Sequence, residues 1–123
     1  MDGDEALSIL VGGHLDTVSF VMNYVEFRIG YNILRAHTAP RVELHDGTTA
    51  VFPAPGSRDA LCRLIDSDVV SAHEAAEGTR LEIRTSKNDL VLIDGSGYRY
   101  PEFAQLVPAD ERGKLLVSKM YIW

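Results

Sequence analysis

The chain has 123 residues, 46% hydrophobic and 24% charged, which fits one globular domain and argues against wholesale disorder. Its net charge of −6 and sequence pI near 5.1 remove the summed positive potential that draws proteins to phosphate, which argues against nucleic acid and anionic membrane surfaces as partners. No apolar run approaches the roughly 20 residues of a spanning helix, and Met1-Asp2-Gly3-Asp4-Glu5 is acidic where a secretory signal would be basic, so a cytoplasmic location is expected.

From Asp4 to Val11, Ala6, Leu7, Leu10 and Val11 share one helical face behind an acidic first turn, which predicts a short helix ending at Gly12-Gly13. Leu15 to Met22 reads as a strand with Val18, Phe20 and Met22 in one phase. Tyr24 to Tyr31 has the cleanest period of two: Val25, Phe27, Ile29 and Tyr31 face one way, and Tyr24, Glu26 and Arg28 the other. An extended segment over Ile33 to Ala36 closes at Ala39-Pro40. Asp46-Gly47 suits a type I′ turn between Val42-Glu43-Leu44-His45 and Thr48 to Phe52, predicting a two-residue hairpin with Leu44 opposite Thr49 and Val42 opposite Val51. Pro53-Ala54-Pro55-Gly56 then breaks the chain, and Ser57 is placed to cap a helix from Arg58 to about Ile65.

In the second half, Val69 to Glu74 is a weaker strand and Glu77-Gly78 a turn. Thr79 to Thr85 is a strand with Leu81 and Ile83 inward and charges outward. Leu90-Val91-Leu92-Ile93 is continuously apolar and reads as a central strand covered on both faces. After the loop Asp94 to Gly97, Tyr98 and Tyr100 flank Arg99, Pro108 to Gly113 turns, and Lys114 to Trp123 reads as extended.

The predicted fold class is therefore α+β, mostly antiparallel β with two short helices. Sliding the chain by 54 residues sets Ala6-Leu7 on Ala60-Leu61, Leu10-Val11 on Leu64-Ile65, Phe27 on Leu81 and Ile29 on Ile83. A further shift of two residues sets Asn32 on Asn88 and Leu34 on Leu90. The pattern predicts a pseudo-twofold duplication of a helix-β-β-β unit within one domain, residues 1–123. The half-repeats cover about 4–52 and 57–97, and 98–123 form a C-terminal extension without a counterpart.

Motifs that carry chemistry are scarce. Cys62 is the single cysteine and sits in an amphipathic segment, which reads as a buried structural thiol. Gly12-Gly13 and Gly95-Ser96-Gly97 lack a P-loop lysine and the strand-loop-helix frame of a phosphate site. His14 and Asp16 on one strand, with His73 and Glu74 on another, are the candidate ligand-binding set if equivalent strand starts come together. Too few ligands converge in the sequence to call for a metal, and no cofactor is expected. The aromatic tail, Tyr98, Tyr100, Phe103, Tyr121 and Trp123, is either core or a recognition surface. Tyr98, Tyr100, Tyr121 and Trp123 are the candidate interface residues.

Leu10-Val11-Gly12-Gly13, Val18-Ser19-Phe20 and Asn23-Tyr24-Val25-Glu26-Phe27, followed by Pro40, Asp46-Gly47 and the helix Arg58 to Ile65, resemble small uncharacterised bacterial β-rich domains built from two helix-plus-strands half-repeats. The resemblance spans most of the chain. It implies the two-unit fold and, because such domains have no established activity, no site residues. The expected function is a non-enzymatic cytoplasmic protein-interaction module whose partner is another protein or itself, as a homodimer. The alternative is a small-molecule binding domain or minor enzyme with a pocket between the two halves.

Overall fold

The computed structural model describes residues 2–99 and 102–123. Helix α1 (Gly3–Ser8) starts at Asp2, whose extended backbone lets its carboxylate accept the Glu5 amide at 2.8 Å, satisfying one of the amides a helix start leaves open. The helix is shorter than expected because successive turns carry the chain from Ile9 to Gly12, where φ is +85°. Helix α2 (Ser57–Cys62) follows Gly56, whose φ of +84° makes the corner. Ser57 is thus the first helical residue and not the cap; it is buried and its Oγ has no partner among the described residues.

Among the described residues, ten strands form one antiparallel sheet. They are β1 (His14–Val21), β2 (Tyr24–Ile29), β3 (Asn32–Ala36), β4 (Arg41–Glu43), β5 (Thr49–Val51), β6 (Ser67–Ala75), β7 (Arg80–Thr85), β8 (Leu90–Asp94), β9 (Ala104–Val107) and β10 (Tyr121–Ile122). Their order across the sheet is β10-β9-β3-β2-β1-β6-β7-β8-β4-β5. The α+β class, mostly antiparallel with two short helices, is what the structure has. None of the described helices is long and apolar enough to cross a membrane.

One buried cluster joins the two halves: Leu7, Leu10, Leu15, Phe27, Ile29 and Leu34 from the first meet Leu61, Leu64, Leu81, Ile83 and Ile93 from the second. The alternation of β2 and β7 produces this burial directly, since Val25, Phe27 and Ile29, and then Leu81 and Ile83, fall on the inward face. β8 lies inside the sheet, between β7 and β4, but only Val91 and Ile93 are buried; Leu90 and Leu92 are half-buried on the outer face.

Several boundaries differ from the sequence reading. Met22 ends its strand: it is 94% exposed with φ +49°, in the β1–β2 turn. Tyr31 is likewise exposed in the turn after β2. The β4–β5 ribbon is shifted by one residue, pairing Val42 with Ala50 and Glu43 with Thr49. The Leu44 amide donates to the Thr48 carbonyl, so the loop is His45-Asp46-Gly47. The Asp46 carboxylate accepts the Thr48 amide and Gly47 takes φ +90°, the geometry of a three-residue loop closed by a left-handed residue. Cys62, expected inside, is exposed. It falls off the stripe that buries Ala60, Leu61 and Leu64.

The C-terminal segment joins the sheet. β9 pairs with β3 and β10 with β9, so residues of 98–123 flank the first meander as β4 and β5 flank the second. A 3-10 turn, Val117–Lys119, interrupts the segment expected to be extended. Register also moves. Val18 faces Phe27 and Ala72 faces Ile83, so laying one strand pairing on the other sets Phe27 on Ile83 and not on Leu81. The extra residues of the second meander sit in its longer turn between Ala75 and Arg80, where added length costs little.

Candidate functional site

The four candidate ligand residues go to separate places. His14 begins β1 at the seam where β1 meets β6, opposite Asp68. Its Nδ1 lies 2.7 Å from an Asp68 oxygen and its Nε2 3.0 Å from an Asp66 oxygen. The hydrogen bond to Asp68, opposed in part by desolvation and helped by Asp66, raises the imidazole pKa above its ordinary value. Asp16 is exposed and accepts the Thr17 hydroxyl at 2.7 Å.

His73 and Glu74 are successive residues of β6, so their side chains leave opposite faces of the sheet. His73 Nε2 lies 3.5 Å from Glu82 on β7. Glu74 accepts the Trp123 indole N–H at 2.8 Å, and its amide donates to Asp4 at 2.7 Å. A Cβ on Gly3 would overlap the Glu74 carboxylate, which is why the first turn of α1 can close over it. His73 stands five residues along β6 from Asp68, roughly 16 Å at the rise of a strand. The pocket expected from the convergence of His14, Asp16, His73 and Glu74 does not form: strand alternation sends Glu74 inward and His73 outward, far from His14.

The ends of the two ribbons are held differently. Beside β5, Phe52 stacks on Phe20 at 5.7 Å and 17°, and the Arg58 guanidinium lies 5.1 Å and 5.7 Å from the two ring centroids. Beside β10, Trp123 and Tyr121 stand 4.5 Å apart at 54°, with Glu74 and Asp4 nearby in place of the apolar pair and its cation. Tyr98, Tyr121 and Trp123 are half-buried against the core; Tyr100 lies outside the described residues. Replacing Trp123 with Phe keeps one aromatic ring beside Tyr121 and removes the bond to Glu74. An expected loss of about 0.5–1.5 kcal/mol in urea unfolding follows, and an unchanged midpoint would mean that the indole N–H contributes nothing.

Tyr121 also lines a shallow apolar groove of about 150 Å³ with Ala6, Ile9, Leu106, Pro108 and Lys119. Ile9 is 44% exposed there, whereas Ile122, next to Tyr121 on β10 and opposite Gln105, faces the other side of the sheet. The Tyr121 hydroxyl has its pKa raised, first by burial and then by the carboxylates of Glu74 and Asp2. Among the described residues, no three His, Cys, Asp or Glu side chains gather as a metal site. The groove was not visible as a site in the sequence, because Ile9 lies outside the predicted apolar face and β9, which supplies Leu106, is only four residues long. The available signal was Ile9 itself, an apolar residue with no place in the core stripe.

No protein-family model matches the chain, and neither does any curated protein or solved structure.

Proposed function

We propose that the chain is a non-enzymatic, cytoplasmic protein-interaction module whose docking face is the groove between α1 and β10, and that a second copy of itself is the partner. The observation that carries this reading is the groove itself: its lining is apolar apart from the Lys119 ammonium and the Tyr121 hydroxyl, and Ile9 within it is 44% exposed. Its volume of about 150 Å³ is below the roughly 300 Å³ at which small-molecule pockets begin. That favours a protein surface over the alternative of a ligand pocket between the halves. The short edge strands β5 and β10 offer little backbone for further pairing, so side-chain burial in the groove is the stronger source of affinity.

We also infer a pseudo-twofold duplication and kinship with the two-half-repeat bacterial domains. In support, α1-β1-β2-β3 with ribbon β4–β5 is matched in order by α2-β6-β7-β8 with ribbon β9–β10. Register shifts also fall at matching places, between Leu15 and Thr17 and between Val69 and Ser71.

The test is the mass of the protein by light scattering over a wide concentration range, for the native chain and for Ile9→Asp. The expected result is a concentration-dependent dimer that the charge weakens by about tenfold or more, equivalent to at least about 1.4 kcal/mol. Because Ile9 is surface-exposed, the variant should fold normally. A strict monomer at every concentration would remove the homodimer.

A further inference from the structure

We propose that His14, held as an imidazolium between Asp68 and Asp66, is a pH-dependent latch on the seam between β1 and β6. An ionised carboxylate only accepts, so a ring nitrogen at 2.7 Å from one carboxylate oxygen must donate, and so must the other nitrogen at 3.0 Å from a second. A neutral imidazole has one N–H and can serve one of the two. The arrangement is satisfied in full only when both nitrogens are protonated.

The place of the clamp gives it leverage. The β1–β6 ladder has only two paired positions, His14 with Asp68 and Leu15 with Ser67, whereas β1 and β2 are matched at six. A few further backbone bonds complete the seam, from Gly12 to Val69, from Val69 to Gly13 and from Asp66 to Leu15. His14 thus ties β1 both to β6 and to the turn after α2, across a ladder much shorter than the one between β1 and β2. Of the other charged groups on adjoining elements, Glu26 on β2 pairs with Arg35 at 2.7 Å and His73 and Glu74 stand at the far end of β6, which leaves Asp16 on β1, Arg28 on β2 and Lys87 in the β7–β8 turn. Lys87 is committed to the Ile65 carbonyl at 2.9 Å, and Arg28 lies over the Tyr31 ring at 5.6 Å. None of the three replaces either carboxylate as a partner of the ring among the described contacts.

The direction of the response follows from the raised pKa of the folded imidazole. A group bound more tightly as a cation in the folded state contributes its stability below the unfolded value, about 6.5, and loses it as pH rises through the folded value. The latch is therefore closed in mild acid and released in alkali.

Long-range proton–nitrogen NMR of the native chain reads both ring nitrogens of His14 directly. The expected result is a doubly protonated ring at pH 6 and a titration midpoint above about 6.5. Amide exchange at Gly12, Asp66 and Val69, corrected for intrinsic base catalysis, should accelerate between pH 6 and pH 8, by about tenfold for each pKa unit that folding adds. In His14→Gln that acceleration should disappear. A neutral tautomer at pH 6, a midpoint at or below about 6.5, or seam exchange equally pH-dependent in His14→Gln would each overturn the proposal. The native titration decides the matter even if the variant does not fold.

Discussion

Replacing Phe27 with alanine is expected to lower the unfolding free energy by about 3–5 kcal/mol, the range for an aromatic ring removed from a packed core. Phe27 is 1% exposed, lies in the middle of β2 and is paired with Val18 on one side and Leu34 on the other. It belongs to the cluster that includes Leu81, Ile83 and Ile93 of the second meander, so the loss should be felt across both halves. Ile83→Ala, at the matching register position opposite Ala72, should cost about 2–5 kcal/mol and shift the same transition. Urea unfolding followed by tryptophan fluorescence and by far-UV circular dichroism checks both points. Coincident curves shifted together are expected; a variant that unfolds only one half would contradict a single shared core.

Asp89→Ala should be the most damaging of the polar substitutions, at about 1–3 kcal/mol. The Asp89 side chain is 1% exposed, and one of its oxygens accepts both the His45 amide at 2.8 Å and His45 Nδ1 at 2.9 Å. Its own amide donates to Thr85 Oγ1 at 3.2 Å. This carboxylate ties the β4–β5 loop to the β7–β8 turn, and without it the part-buried His45 amide loses its acceptor. Asp89→Asn retains an oxygen acceptor and should fall between the native chain and Asp89→Ala. Chemical unfolding of the three proteins gives the order, and an Asp89→Ala variant as stable as the native chain would show that water replaces the carboxylate.

The parts of the fold legible from sequence are those in which one local signal dominates. Val25, Phe27 and Ile29 alternate without interruption, and β2 follows. Ala60 and Leu61 mark the inward face of α2, and Leu64 continues it in the turn that follows. The β4–β5 register was not legible because two turn chemistries compete at Asp46-Gly47. A two-residue turn satisfies the dipeptide preference, but the longer loop lets the Asp46 carboxylate bind both the Thr48 amide and Arg63, and these bonds hold its pKa well below the ordinary aspartate value. Cys62 was misplaced because a six-residue helix offers too few turns to separate a flank from a face.

The site was less legible still, because it depends on contacts across the chain. The 54-residue shift sets His14 on Asp68, and those two residues meet across β1 and β6. A sequence offset alone cannot distinguish residues that are merely equivalent from residues that touch. The antiparallel pairing of the two strands makes this pair touch, and Asp66 joins it from a turn with no signal of its own. Glu74 and Trp123 are 49 residues apart and come together only because β10 is carried back past α1 by the pairing of β9 with β3.

The interaction reading is tested most directly by backbone amide NMR spectra recorded while the native chain is diluted. Shifts are expected to be confined to Ala6 and Ile9 of the α1 segment, Leu106 of β9, and the stretch from Lys119 to Ile122, all moving with one dissociation constant. Spectra that do not change with concentration, or changes centred on the β4–β5 ribbon, would contradict it.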